Sequence, residues 1–560
     1  MDELPVPEPT PGGPGSAAVT AAAAAAVITR RQLSWLIGGL MLGLFLSATE
    51  SSVIATALPT MAGDLGGASK LSWVVSAYLL TSTVVTPLYG KLSDLFGRRI
   101  VYQTSISLFM LGSLLCGVAQ TMTQLVAARA VQGMGGGGLM SLAFVILGDV
   151  LSPRERGQYM GLFTGVFAFS SVTGPLWGGL LVDTVGWRWI FLLMLPLGSI
   201  ALAVTSVGLR LPFIVRKRPI DWIGAGLLVA TATCLLMVPI WGGQTFAWTS
   251  VALLGVVALG LVLGVGLVLQ ERRAPEPILP LRLFSERTVS AIFGMGFGLM
   301  FSLISVSTFL PLFLQVATGA SATRSGLMMV PQSFSISATA TLSGFLVSRT
   351  GRYKWTLIVG PLIAAVGLLL LSTIDSTTSA WDLAPYLVIM GFGTGLAFPN
   401  MTVGVQNAVE ITDLGVATST SNFFRNMGAA FGAAFLGALL NAKLSDALNA
   451  RIPADRLAEV GGAEGLIRSP KVVAELPEDL HRAVVGAVTD SVTGVIRWVV
   501  PLMLVVFVLA LLVQEKPLRT TSALGGPATR TQGSPVPASD TSDSLQSEPP
   551  PPPGARLALD

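Results

Sequence analysis

The chain has 560 residues, of which 52% are hydrophobic and only 11% charged, with a net charge of +4. Soluble proteins carry about 25% charged residues, so the composition excludes an ordinary water-soluble domain and points to an all-α polytopic membrane protein. The positive balance gives no nucleic-acid signal, because the Lys and Arg residues fall in short connections between apolar stretches, where they set topology.

The first 33 residues are acidic, Pro-rich and then Ala-rich, without the basic start of a signal peptide. They read as a disordered cytoplasmic tail, with a first, uncleaved span after them. Fourteen apolar stretches follow, at about 34–58, 71–90, 100–119, 124–148, 160–182, 188–209, 220–241, 249–270, 290–314, 325–347, 355–374, 383–404, 421–440 and 496–513. Each has the length of a bilayer-crossing helix. Alternate connections concentrate the basic residues: Arg30 and Arg31; Lys91, Arg98 and Arg99; Arg154 and Arg156; Lys217 and Arg218; Arg272 and Arg273; Arg349, Arg352 and Lys354; Lys516 and Arg519. The opposite short loops hold little beyond Lys70, Arg188 and Arg324. The positive-inside rule therefore places both termini in the cytoplasm, which an even number of spans also requires.

Glu50 stands within the first span. An acidic group there is costly and is a functional candidate by default. Hydrocarbon favours its neutral form and a nearby cation its charged form, so a change in surroundings loads or releases a proton. The bland alternative is a Glu that only hydrogen-bonds a neighbouring helix. Arg129 in the fourth span is the candidate partner, since the two depths differ by about 6 Å at the helical rise. The alternative for Arg129 is a side chain snorkelling to the outer interface. As the one deep carboxylate found, Glu50 implies about one proton per transport cycle.

The connection GKLSDLFGRR carries Gly90, Asp94, Gly97, Arg98 and Arg99, and Asp149 ends the fourth span on the same side. These residues suit a breakable charge cluster, against the alternative of an ordinary basic loop. The same spacing returns as GFLVSRTGR from Gly344 to Arg352, an echo expected of two parallel six-helix repeats. Residues 34–209 and 289–516 then form the two bundles, and 210–288 two linker helices with their flanking loops. In the fifth span, Gly174, Pro175, Gly178 and Gly179 suit a bend and close helix contact where the two halves meet, or a bare packing kink.

The connection 441–495 is long and of mixed charge, and reads as extracellular. Its segment LPEDLHRAVVGAVTDSVTGV reads either as an amphipathic helix on the outer face or as an irregular loop. Residues 517–560 are rich in Ser, Thr, Pro and Gly and read as a disordered cytoplasmic tail. Cys116 and Cys234 lie in apolar stretches and the one histidine, His481, outside them. No disulfide, metal, cofactor or enzymatic constellation is therefore expected.

With these motifs in hand, the chain resembles the major facilitator superfamily, in particular its fourteen-span drug:proton antiporters (EmrB/QacA-like multidrug efflux transporters). Gly90–Arg99 matches that family's cytoplasmic motif. Arg129, Gln132, Gly133 and Gly135 match its fourth-span motif R-x-x-Q-G-x-G. Ser170 to Gly179 match the antiporter motif, with Ser170 in place of its first glycine. ESSVIATALP from Glu50 matches the first-span pattern D-x-T-x-V-x-x-A-L-P, with Glu for Asp and Ser52 for Thr. The resemblance implies the major facilitator fold, with two extra helices between the bundles. It implies proton coupling through Glu50 and Arg129, and export of lipophilic small molecules, monocations among them, across the plasma membrane by rocking of the halves. Ser348 stands where the first-half motif has Asp94, so a second latch is expected to be weak or absent, and the tenth span has no acid to favour dications. Gln132, Trp73, Tyr78, Phe169, Phe313 and Phe398 are candidate cavity residues, together with Phe167, Trp177 and Phe301. Protons and membrane lipid are the other partners expected, and the chain is expected to act as a monomer. The alternatives are an exporter of an endogenous product such as an antibiotic, siderophore or lipid and, more distantly, a membrane sensor or channel.

Overall fold

The structure, a computed structural model, describes residues 30–65, 71–209, 221–242, 246–320, 322–375, 378–453, 473 and 476–518. The N-terminal tail, the Ala run, most of the tail after Leu518 and much of the connection 452–477 lie outside the described residues. Among the described residues the chain is helical, as it must be where lipid cannot satisfy backbone N–H and C=O groups. The first half comprises α1 (Arg30–Leu65), α2 (Leu71–Phe96), α3 (Arg98–Val118), α4 (Met122–Val150), α5 (Pro153–Thr184), α6 (Arg188–Leu192) and α7 (Met194–Gly208). A linker pair follows, α8 (Trp222–Trp241) and α9 (Val251–Arg273). The second half comprises α10 (Arg282–Ser285), α11 (Arg287–Ala317), α12 (Ala322–Met328), α13 (Val330–Thr350), α14 (Lys354–Leu371), α15 (Ala380–Ala408), α16 (Leu414–Arg451) and α17 (Glu478–Leu512).

Local sequence fixes many of the ends. Thr121 accepts a hydrogen bond from the Gln124 backbone N–H at the start of α4. Ser152 and Glu155 form a capping box ahead of α5, with Pro153 in the first turn, where its missing N–H costs nothing. Ser379 and Asp382 repeat the device at α15. Gly97 opens α3 at φ 93°, a left-handed backbone that favours glycine, and this permits the sharp turn out of α2.

Helices occupy all fourteen apolar stretches, and eleven of them are long and apolar enough to cross a membrane by length and composition. The other three are α2, α5 and α13. Their polarity has a structural reason: with α16 they carry the largest share of the contact between the halves, and they hold Ser, Thr and Gly in place of large apolar side chains. Four stretches depart most from their expected form. The sixth is broken at Leu193 into α6 and α7, and the tenth at Met329 into α12 and α13. The thirteenth lengthens to Leu414–Arg451. The last begins at Glu478, so HRAVVGAVTDSVTGV is continuous with the final span and is neither a separate surface helix nor an irregular loop. His481 accordingly sits on that helix.

Each half buries its own apolar core, around Leu40, Phe109, Leu142 and Phe163 in the first and Phe293, Leu314, Leu357 and Val499 in the second. The linker pair leans on the seam, where Ala232 and Leu236 of α8 pack with Val84 of α2 and Phe423 of α16. Its partner α9 turns Leu261 and Val262 outward, both more than 60% exposed, as a lipid-facing helix does.

The halves meet at one end, which carries Arg98, Arg156, Arg349 and Lys516 and is called here the basic end. Gly157 of α5 and Gly344 of α13 place backbone against backbone, so any side chain at either position would collide with the other. Gly161 faces Thr341 one turn further along. Gly90 lies against Ser419, and the Ser141 and Ser419 hydroxyls are 2.7 Å apart. Arg156 donates to Gln406 Oε1 at 2.8 Å, and Gln406 Nε2 donates to the Phe144 carbonyl at 3.1 Å.

Candidate functional site: a buried ion pair beside a central cavity

A cavity of about 520 Å³ lies between the halves. Ser47, Ser52 and Tyr78 contribute from the first half and Gln332, Phe398 and Asn426 from the second. The remaining wall is mostly aliphatic or small, and among the described residues no charged side chain lines it.

Glu50 and Arg129 sit behind the first-half wall, each 1% exposed. Arg129 Nη1 donates to Glu50 Oε1 and, at 2.6 Å, to Gln132 Oε1. Its Nε donates to the Val74 carbonyl at 2.9 Å, and its guanidinium lies 4.4 Å from the Tyr78 ring centroid. Gln132 Nε2 in turn donates to Ser113 Oγ at 2.8 Å. The second carboxylate oxygen of Glu50, Oε2, is buried with no hydrogen-bond partner among the described residues. Tyr78 separates the pair from the cavity, and its hydroxyl is 3.3 Å from Ser47 Oγ. Arg129 is therefore no snorkelling side chain. The sequence makes this closeness possible through glycine, because Gly133 faces the Tyr78 backbone and Gly112 the Gln132 backbone without room for a Cβ.

The charge cluster at the basic end also forms. Arg98 donates through Nε to Asp149 Oδ2 at 2.5 Å, pairs through Nη1 with Asp94, and reaches Ser93 Oγ at 2.5 Å. Burial pushes the Asp94 carboxyl up to about 6, with Arg98 opposing and Asp149 adding to the rise. That carboxyl faces Gly415 in the first turn of α16, at the positive end of the helix dipole. The cluster thus spans the junction between halves. Arg99 is exposed and stands outside it. Two further ion pairs tie in the strap after α9: Lys91 with Glu276 at 2.9 Å, and Arg282 with Asp413 at 2.7 Å. In the echoed second-half motif, the Ser348 hydroxyl accepts from Gln158 Nε2 at 3.4 Å.

Other expected positions fall elsewhere. Of the aromatic candidates, Tyr78, Phe167 and Phe398 line the cavity. Gln132 does not, being held by Arg129 and Ser113. Trp73 packs 6.5 Å from Trp241 of the linker helix α8. Phe313 is buried in the second-half core. Phe169 is 60% exposed and packs 6.0 Å from Phe45, Trp177 is also exposed, and Phe301 packs with Phe297 and Phe435. Helical periodicity alone does not tell a cavity face from a lipid face when both are apolar. In the antiporter motif, Gly174 lies against Ser52 of α1, in its own half, and Gly179 meets no neighbour within 4 Å. Gly178 and Pro175 lie in the same uninterrupted helix. The halves meet on this helix at Gly157 and Gly161 instead.

One further charged side chain lies beside the cavity. Arg425 lies within α16, 1% exposed. Its signal was present, as the one formal charge in the stretch 421–440.

The chain matches the Major Facilitator Superfamily family model over residues 40–433. It belongs to that superfamily. It is 40% identical over 400 residues to the multidrug transporter protein MdtP of Bacillus subtilis (strain 168), covering 71% of this chain and 73% of that protein. It is 31% identical over 463 residues to multidrug resistance protein 3 of the same organism, covering 82% and 90%. The human organic anion transporter MFSD10 (TETRAN) superposes with a TM-score of 0.57 at 15% identity, over 84% of this chain and 99% of that one, a likeness of fold alone. This member of the superfamily is a multi-pass membrane transporter and not an enzyme.

Proposed function

We propose that the chain exports lipophilic small molecules, monocations among them, across the cell membrane in exchange for protons, using a fourteen-span topology with both termini in the cytoplasm. The observation that carries this reading is the buried Glu50–Arg129 pair set one side chain behind an uncharged cavity wall. The relatives named for multidrug transport and resistance support the cargo class.

The chemistry follows from the pair. Arg129 stabilises the charged form of Glu50 and burial the neutral form, so the balance between the two depends on their separation. A small relative shift of α1 and α4 therefore changes proton occupancy, and Tyr78 links that shift to the cavity wall. The positive-inside rule puts the basic end in the cytoplasm. On that assignment the halves are closed at the cytoplasmic end, opposite the side on which cargo leaves and Glu50 takes up a proton. The return stroke breaks the Arg98 cluster and the Gly157–Gly344 contact.

The test uses the full chain in proteoliposomes with an imposed pH gradient and a lipophilic cation such as tetraphenylphosphonium. Glu50→Gln should abolish gradient-driven uptake while equilibrium binding stays within about threefold, since it removes the proton site and not the wall. Wild-type transport by Glu50→Gln would sink the coupling.

A further inference from the structure

The second half carries a buried cation that the proposed proton cycle does not use. Arg425 lies eleven residues into the 38-residue α16, too deep in the helix to reach either membrane surface. No carboxylate pairs with it among the described residues. Its contacts are neutral: Nη2 donates to Asn422 Oδ1, and Nη1 reaches Thr402 Oγ1 at a long 3.4 Å. Its Nε is buried without a partner, and so are Asn422 Nδ2 and the hydroxyls of Thr420 and Ser421. A guanidinium has five N–H donors, and a buried charge without a counter-ion costs several kcal/mol. Arg129, equally buried, has Glu50.

The position of this unfilled donor set points to a ligand. The guanidinium carbon lies 4.8 Å from the ring centroid of Phe398, on α15, and 5.7 Å from that of Phe144, on α4 of the other half. Phe398 lines the cavity, and so does Asn426, the next residue along α16. One aromatic ring therefore separates the cation from the space where cargo sits. With no charged residue in the wall and the Glu50–Arg129 pair neutral overall, Arg425 supplies the net local charge.

We propose that Arg425 is an anion-recognising residue of the cavity, reached by rotation of Phe398, and that the transporter binds lipophilic monoanions carrying a carboxylate or sulfonate. The apolar wall takes the hydrophobic body, and the guanidinium fork takes two oxygens of the acid group in the geometry that suits it. The inference rests on the cavity being the cargo site, is independent of proton coupling, and ranks lipophilic monoanions above the monocations of that reading.

Binding to the purified full-length chain at pH 8 tests it, with 1-pyrenebutyrate and its neutral amide as fluorescent probes of matched shape. Wild type should bind the carboxylate about tenfold or more tightly than the amide, the scale of a charge-assisted bidentate contact. Arg425→Gln should erase that preference and leave amide affinity within about twofold. Asn422→Asp, which supplies the missing carboxylate from within, should erase it as well while keeping the packing, and it stands in if Arg425→Gln does not fold. Equal binding of the two probes by wild type, or a preference that survives either substitution, overturns the inference and leaves the export reading intact. If neither probe binds wild type, the cavity reading falls and this inference with it.

Discussion

The two walls of the cavity each bury one arginine, and the contrast between them is instructive. Arg129 is matched: a carboxylate, a glutamine and a backbone carbonyl occupy its donors. Among the described residues Arg425 has neutral partners and an Nε without an acceptor. Burial of the two is the same, so burial does not distinguish them; the supply of acceptors does. A paired charge can be gated by moving its partner. An unpaired one is poised for a partner that arrives from outside the chain.

The largest expected effect separates the two by stability. Arg129→Met strands the Glu50 carboxylate and should destabilise the protein by about 3–5 kcal/mol at pH 8, the cost of breaking a buried pair. Arg425→Met removes an uncompensated charge and should be neutral or stabilising by about 1–4 kcal/mol. Thermal unfolding midpoints of the purified variants check this. The double variant Glu50→Gln with Arg129→Met should recover most of the first loss, because the two sites act as one unit. If both arginine variants fall equally, the contrast is wrong.

The next effect concerns the contact that holds the halves together at the basic end. Gly344→Leu places a side chain where Gly157 already sits, so the two backbones must separate. Spin labels on α5 and α13 at that end should report a longer distance, with the population moved toward the separated state, while probe binding in the cavity is retained. An unchanged distance distribution would show that this contact does not set the closed state.

The smallest effect is expected at Asp94. Arg98 keeps Asp149 and Ser93 when Asp94→Asn removes one carboxylate, so the closed population measured with the same labels should change by less than about threefold, the scale of a partly exposed pair. Asp94→Asn also imitates the protonated carboxyl. Because burial in the closed cluster raises that carboxyl to about 6, protonation favours the closed form. Acidification from pH 7 to 5 should therefore shift wild type toward closure and leave Asp94→Asn unmoved by comparison.

Much of the fold was legible because lipid leaves helices as the available way to satisfy the backbone, and long apolar runs with alternating basic connections announce them. The Glu50–Arg129 pair was legible for a related reason: two opposite charges at similar depths in hydrocarbon have few other ways to be tolerated. The limits of the last helix were not, since Glu478 to Val495 is polar enough to read as a connection until α16 and α17 lengthen together.

The sequence by itself determined which stretches are helical, which end is basic, and which carboxylate is buried deepest, because hydropathy, charge and helical rise act along the chain. Tertiary structure decided which faces look into the cavity. It put Tyr78 and Phe398 on the wall and Trp73 and Phe313 elsewhere, turned Gly174 toward α1 and not toward the other half, and brought Phe144 and Phe398 from opposite halves around Arg425. Apolar faces toward lipid, core and cargo have the same composition, so only packing against particular neighbours tells them apart.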